Sequence, residues 1–186
     1  MYIPTFTELS EEQLVVLNLP ETGRFLVTGP PGTGKTVMAL KRAKMANDAS
    51  MRIELIMMGK PLSEATSKAA NGIGIKGDVT TYHSYLWTKY RQIFKRTIHQ
   101  IEPYVHDWDT ILEDINNLSD SRMAQIKSNN ETLIIDEGQD MNKYFYLFVQ
   151  YLFDSYTIFA DDNQRLHNDN SRLKDIRAFG EIKREY

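Results

Sequence analysis

The stretch "RFLVTGPPGTGKT", residues 24–36, decides the fold. It starts as a short apolar run that leads into a glycine, which predicts a buried strand. Its last eight residues, "GPPGTGKT" (29–36), fit the phosphate-loop pattern G-x-x-x-x-G-K-[ST]. Strong helix formers follow in "KTVMALKRAKMAND" (35–48). A strand, a glycine-rich loop and a helix in this order form the context that a phosphate-binding loop requires.

Each residue type in this loop has a physical role. Glycines let the backbone fold tightly around an anion, and the helix N-terminus adds a favourable dipole. Lys35 would place its charge on the β- and γ-phosphates, and the Thr36 hydroxyl would ligate Mg²⁺. The alternative is a glycine-rich turn that binds nothing. The predicted nucleotide contacts are Gly29, Pro30, Pro31, Gly32, Thr33, Gly34, Lys35 and Thr36.

A second strand ends in acidic residues, in "LIIDEGQDM" (133–141). Unpaired charges next to a hydrophobic core cost folding free energy. Two adjacent carboxylates at the end of a buried strand therefore indicate a role other than stability. In phosphate-loop folds an acid in this position holds Mg²⁺. Asp136 would take the metal through water, and Glu137 would act as general base on the attacking water. The alternative is an Asp that caps the next helix, beside a solvated Glu.

Composition excludes several classes of protein. The chain has 186 residues, a net charge of −3 and no cysteine, so it has neither disulfides nor thiolate metal sites. The net charge of the whole chain does not indicate a nucleic-acid-binding protein. Any surface that binds nucleic acid would therefore be a local patch. No secretory signal and no apolar run of membrane-spanning length is present. We therefore expect a cytoplasmic protein with no membrane partner.

Alternation of strands and helices predicts an α/β fold with a mostly parallel sheet. Further strands are expected at 52–58, 77–83, 132–136 and 156–161, and further helices at 8–20, 61–70 and 142–153. From Ser84 to about Asn130 the chain is polar and helical in character. We expect a helical insertion over 84–130, on an ATP-binding domain made of 1–83 and 131–186.

The ordered motifs resemble the superfamily one helicases of the UvrD/Rep type. In chain order they are "LSEEQ" (9–13), "GPPGTGKT" (29–36), "TYHS" (81–84), "DEGQD" (136–140) and "ADDNQ" (160–164). Two stretches depart from the pattern: Ala160 stands where the family has glycine, and "MMGKPLSEAT" (57–66) lacks the usual T-x-x-x-A wording. The resemblance implies an N-terminal RecA-like ATPase domain that uses ATP and Mg²⁺, with the 84–130 insertion corresponding to subdomain 1B.

The resemblance also implies roles for three polar residues. Gln13 would hydrogen-bond adenine, but Ser10 and Gln13 also form a capping box, which would place the Gln13 side chain on a backbone N–H instead. Gln164 would lie near the γ-phosphate and transmit the loss of that phosphate to neighbouring segments. The alternative is a turn residue, because "DDNQ" (161–164) is also typical of a turn. Arg165 would steady phosphate or Asp136, and a solvated arginine is the alternative.

A nucleic-acid surface is expected after the third strand. "YHSYLWTKYRQIFKR" (82–96) interleaves aromatic and basic residues, and aromatic faces stack on any base. Tyr82, His83 and Trp87 are the candidate contacts. The alternative is an amphipathic helix with an aromatic core face and a solvated basic face.

Helicases of the resembled type bind ATP between two RecA-like domains, and the second supplies arginines that stabilise the transferring phosphate. No motif of that second domain follows in this chain, so we expect Mg·ATP binding with slow hydrolysis and no unwinding by the chain alone. The expected partners are single-stranded DNA or RNA and a second RecA-like domain. The alternative function is an ATP-dependent switch that binds a protein partner without unwinding. A P-loop kinase fits the motifs less well.

Overall fold

Six strands form a central parallel sheet in the computed structural model, which describes residues 2–127, 131–161, 171–182 and 184–186. The sheet order is β3-β2-β6-β7-β1-β8. The strands are β1 (Arg24–Thr28), β2 (Arg52–Met57), β3 (Asp78–Thr81), β6 (Glu131–Ile135), β7 (Tyr156–Ala160) and β8 (Arg184–Glu185). The first five overlap the predicted ranges, although β6 begins one residue before its range, and every described pairing in this sheet is parallel. The predicted α/β fold is therefore confirmed.

Helices cover both faces of the sheet. They are α1 (Glu11–Leu17), α2 (Lys35–Asp48), α3 (Lys60–Gly72), α4 (Tyr82–Phe94), α5 (Trp108–Asn116), α6 (Asp120–Lys127), α7 (Lys143–Leu152) and α8 (Leu173–Phe179). One hydrophobic core joins α1, α2 and α3 to alternate sheet residues such as Leu55 and Ile134. A second core joins α4, α5 and α7 to the opposite side chains, such as Ile56 and Ile135. Side chains on a strand alternate between faces, so each strand contributes to both cores.

The predicted third strand is shorter than expected. It ends at Thr81, and α4 begins at Tyr82. Thr81 is the reason, because its hydroxyl accepts a hydrogen bond from the Ser84 backbone N–H and caps the helix. Tyr82 and His83 therefore lie in the first helical turn rather than in the strand.

The segment 84–130 is not purely helical. Two short strands, β4 (Gln100–Glu102) and β5 (Val105–His106), pair antiparallel between α4 and α5. Strands of three and two residues are too short to show a period in the sequence. Helices α4 and α5 of this segment share the hydrophobic core with α7 and the sheet. The division of the chain into a 1–83 plus 131–186 domain and an 84–130 insertion stays a prediction.

Two elements near the C-terminus were not predicted, namely α8 and β8. Strand β8 is only two residues long and pairs with β1 through Phe25 and Leu26. Among the described residues, no helix has both the length and the apolar character needed to cross a membrane.

Candidate nucleotide and metal site

The carboxyl ends of β1, β7 and β6 lie side by side in the sheet. Because parallel strands end at the same edge, the loops that follow these strands are neighbours, and such edges are where open α/β sheets bind ligands. The loop 29–34 follows β1, Asp161 follows β7, and Asp136 follows β6. The site is therefore built from three chain segments that are distant in sequence.

The predicted phosphate loop connects β1 to α2. Its Gly34 has φ +83°, and a Cβ there would lie 3.1 Å from the Gln13 Nε2 atom, so both conformation and space favour glycine. The Lys35 ammonium donates hydrogen bonds to the carbonyl oxygens of Gly29 (2.7 Å) and Pro30 (3.0 Å). Lys35 Nζ also lies 3.8 Å from Asp161 Oδ2. The lysine charge is thus held at the loop itself, and its side chain is 9% exposed.

Thr36 and Asp136 meet as the sequence predicts. The Thr36 hydroxyl donates a hydrogen bond of 2.6 Å to Asp136 Oδ2, across 100 positions of the chain. Asp136 is fully buried. Burial, with a contribution from the neighbouring Glu137 charge, raises the pKa of Asp136 to about 6. A hydroxyl and a carboxylate oxygen at this distance can both face a single hard cation.

Glu137 has an unusual backbone conformation. Its φ of 55° and ψ of 42° lie in the left-handed region, which a residue with a Cβ adopts at a cost. This conformation turns the chain sharply after β6 into a short 3₁₀ turn, Gly138–Asp140. The Asp136 and Glu137 side chains therefore leave the end of β6 from a tight turn instead of a continuing strand.

Gln139 was not predicted to be part of the site. Its side chain is 1% exposed and bonds in two directions: Nε2 donates to Glu137 Oε2 (2.7 Å), and Oε1 accepts from the Asp161 backbone N–H (2.9 Å). It therefore connects the acidic end of β6 to the end of β7. The only signal in the sequence is its position inside "DEGQD" (136–140), beside the two carboxylates.

Gln13 makes the bond that capping predicts and a second one. Its Oε1 accepts from the Ser10 backbone N–H at 3.1 Å, and the Ser10 hydroxyl accepts from the Gln13 N–H. Its Nε2 donates to the carbonyl oxygen of Thr33 in the phosphate loop at 2.9 Å. The residue thus lies beside the loop, and its contact with adenine stays a prediction.

The three candidate nucleic-acid contacts differ in exposure. Trp87 is 37% exposed on α4, and His83 is half-buried, with Nδ1 3.1 Å from His106 Nε2. Tyr82 is 3% exposed and packs edge-on against Phe145 in the core. A ring packed in the core presents no face to a base in this conformation, so a contact of Tyr82 with nucleic acid has no support from the structure and stays a prediction.

Gln164 and Arg165 fall in 162–170, outside the described residues. The structure therefore places neither of them.

Comparisons with known proteins agree with the fold. A family model described as an AAA domain matches residues 13–168. No curated protein matches the chain. Among solved structures, a Pif1 helicase from Candida albicans superposes with a TM-score of 0.56 and 18% sequence identity, over 95% of this chain and 39% of that one. At that identity the likeness shows the fold, and this chain spans about two fifths of the helicase. The chain therefore belongs to the matched AAA-domain family, the P-loop ATPase domains found in UvrD/Pif1-like helicases.

Proposed function

We propose that this chain is the ATP-binding and hydrolysing part of a helicase or translocase motor that acts on single-stranded DNA or RNA. The observation that carries the proposal is the contact between Thr36 and Asp136 beside Lys35. It brings the phosphate loop and the acidic strand end to one point at the edge of the sheet. Such an arrangement suits a bound nucleoside triphosphate with its metal ion.

The residues at this site suit Mg²⁺, which nucleotide phosphates help to bind, better than a metal ion that protein side chains alone would coordinate. The described residues contain no cluster of three or more His, Asp or Glu side chains that could hold a metal ion. Mg²⁺ is usually bound through one or two carboxylates together with water and substrate phosphates. Thr36 and Asp136 would hold it, and when bound it neutralises charge on the phosphates.

Lys35 and Glu137 would have separate roles in hydrolysis. Lys35 would exchange its bonds to the loop carbonyls for contacts to the β- and γ-phosphates. Glu137 would accept the proton of the attacking water as general base. Gln139 would position the Glu137 carboxylate, because its Nε2 donates directly to Oε2. Gln164 and Arg165 remain candidates for sensing and steadying the γ-phosphate.

The share of the related helicase that this chain covers supports a second domain in the motor. The chain corresponds to 39% of the Candida albicans helicase, which leaves room for further domains in a related motor. Arginines supplied by another domain typically raise hydrolysis by about 10³–10⁵-fold in related NTPases. We therefore propose that a second RecA-like domain, in the same protein or a partner chain, completes the site.

Nucleic-acid binding would use the start of α4. Trp87 and His83 are one helical turn apart, so they lie on the same side of the helix. Both are accessible to solvent in part, unlike Tyr82. A base could stack on either ring, which is a sequence-tolerant contact worth about 1–3 kcal/mol per base.

The test is to measure ATP turnover and nucleic-acid binding together. Turnover is followed with a thymidine 20-mer, a uridine 20-mer, a DNA duplex or no nucleic acid, with Lys35→Ala as background. We expect weak basal turnover and stimulation of that turnover by a single strand.

Trp87→Ala should weaken single-strand binding. Tyr151→Ala, which removes an aromatic side chain of nearly equal exposure on α7, should not. Failure of the chain to bind Mg·ATP would overturn the proposal, and turnover raised only by a protein partner would favour a switch.

A further inference from the structure

His106 is a buried histidine that the nucleotide site does not use. It ends β5 and is 4% exposed, and its Nε2 lies 3.1 Å from Nδ1 of His83. His83 is in the first turn of α4 and is a candidate nucleic-acid contact. Tyr82 and Trp108 pack edge-on against the His106 ring, with centroids 6.2 Å and 6.1 Å away. The His106 ring is therefore held in place by its neighbours and can orient His83 in turn.

Both histidines are mainly uncharged above neutral pH. Burial, with a smaller contribution from His83, lowers the pKa of His106 to about 4. Burial also lowers the pKa of His83. An uncharged imidazole has one N–H donor and one bare nitrogen that accepts. One ring therefore donates to the other across the 3.1 Å contact, and the direction of that hydrogen bond fixes the tautomer of both rings.

Two proton arrangements fit the contact between the rings. In the first, His106 Nε2–H donates to His83 Nδ1, and both rings carry their proton on Nε2. In the second, His83 Nδ1–H donates to His106 Nε2, and both rings carry their proton on Nδ1.

The surroundings of His106 favour the first arrangement. Its Nδ1 is buried and has no hydrogen-bond partner among the described residues. The second arrangement would place an N–H at this atom, and orphaned buried N–H groups are rarer than unbonded acceptors. The proton on Nε2 also gives the more stable tautomer of a free histidine side chain. His83 is therefore expected to accept at Nδ1 and to carry its proton on Nε2.

We propose that His106 is a positioning residue for nucleic-acid binding, which holds His83 through Nδ1 and leaves its Nε2–H free to donate to a single strand. The Nε2 atom of His83 has no hydrogen-bond partner within the described ranges and is not buried. An uncharged N–H donor suits a phosphate oxygen or an acceptor on a base. A contact of this kind depends on a second residue that fixes the ring of the first. The inference rests on the proposed function, because it needs a bound strand.

The first test measures the tautomer of His83 by NMR, in the chain labelled with ¹⁵N-histidine and without nucleotide or nucleic acid. Nitrogen chemical shifts distinguish a protonated ring nitrogen from a bare one, and His83→Phe assigns the signals. We expect the proton on Nε2 and a bare Nδ1. His106→Phe keeps an aromatic ring in the core but removes the donor, so both tautomers of His83 should then be populated. A wild-type His83 that carries its proton on Nδ1 would overturn the proposal.

The second test is a double-mutant cycle on the binding of a labelled thymidine 20-mer. His83→Phe and His106→Phe should each weaken binding about threefold to tenfold, the usual effect of one hydrogen bond. The double variant should bind no more weakly than His83→Phe, because His106 acts only through His83. His106→Gln, whose amide can still donate, should restore most of the affinity. His99→Gln is the matched control, since this histidine of the same segment contacts Asp107 and its side chain is 68% exposed.

Losses that add in the double variant would assign His106 a structural role and overturn the proposal, as would unchanged binding by His106→Phe. Thermal unfolding checks that each variant is folded. An abasic 20-mer identifies the acceptor: an equal loss with this strand supports a phosphate oxygen, and a smaller loss supports an acceptor on a base. A wild-type chain that binds no single strand would overturn the proposed nucleic-acid binding itself. The tautomer is measured without a strand, so the two failures are distinguishable.

Discussion

The Thr36 hydroxyl donates to the buried Asp136 carboxylate at 2.6 Å, although 100 positions separate the two residues. Two features of the fold produce this contact. Thr36 lies in the first turn of α2, and Asp136 directly follows β6, which is separated from β1 by β7 alone. Burial raises the pKa of Asp136, so the ionised carboxylate costs the folded chain stability. The contact therefore supports the proposed metal site, where a bound cation would offset that cost.

Asp136→Asn should stabilise the chain in the absence of metal. The folded-state pKa of about 6 is above the ordinary value of 3.8, so folding is penalised increasingly as pH rises from about 4 to 6. Removing the charge should recover about 1–3 kcal/mol at pH 8, which raises Tm by a few degrees. Thermal unfolding in EDTA measures this, and the advantage should vanish below pH 4.

The same substitution should weaken binding of Mg·ATP at least tenfold, because the amide is a poorer magnesium ligand than the carboxylate. Titration with a fluorescent ATP analogue checks this. A variant that is less stable than wild type at pH 8, yet binds Mg·ATP normally, would contradict the assignment of Asp136.

Lys35→Ala and Glu137→Gln should separate binding from turnover. Removing the Lys35 charge should weaken nucleotide binding, because the charge contacts phosphates in the ground state. Glu137→Gln should leave affinity within about threefold and reduce turnover about 10²–10⁴-fold, the usual contribution of a general base. Equilibrium binding and single-turnover hydrolysis measure the two effects. Equal losses of affinity in both variants would count against the role of Glu137.

Gln139→Leu should lower turnover about tenfold or more with little change in nucleotide affinity. The variant removes the donor to Glu137 and leaves the Asp161 backbone N–H without its acceptor, so we also expect a loss of about 1–3 kcal/mol of stability. Gln139→Glu distinguishes positioning from stability alone. It keeps an acceptor for Asp161 but sets a second carboxylate against Glu137, which should move the acidic limb of the pH–rate profile to higher pH. An unchanged profile would assign Gln139 a structural role only.

Short apolar runs and the residue types of the glycine-rich loop were sufficient to predict five strands and the phosphate loop. Each of these features is local, since a strand, a glycine-rich turn and a helix start are encoded in consecutive residues. The pairing of Thr36 with Asp136 was expected because phosphate-loop folds place an acid from a second strand beside the loop.

Features that depend on tertiary contacts were not predictable from the sequence. Strands β4 and β8 contain three and two residues, and their formation depends on the partner strand rather than on the local pattern. The burial of Tyr82 depends on where Thr81 caps α4. Gln139 joins two loops whose proximity is set by the order of β6 and β7 in the sheet. No spacing in the sequence carries that information.

Gly138→Ala should destabilise the site, because space at this glycine is already filled. A Cβ there would lie 2.6 Å from Ile158 Cγ2 and 2.9 Å from the Tyr146 hydroxyl, which itself donates to the Gly138 carbonyl oxygen. Overpacking of this kind costs about 1–3 kcal/mol and would displace the turn that carries Glu137. Gly72→Ala at the end of α3 is the control, since its Cβ would meet no atom within 4 Å and alanine favours helix. Urea unfolding and ATP turnover compare the two, and a Gly138→Ala variant as stable and active as Gly72→Ala would show that the turn can shift without affecting the site.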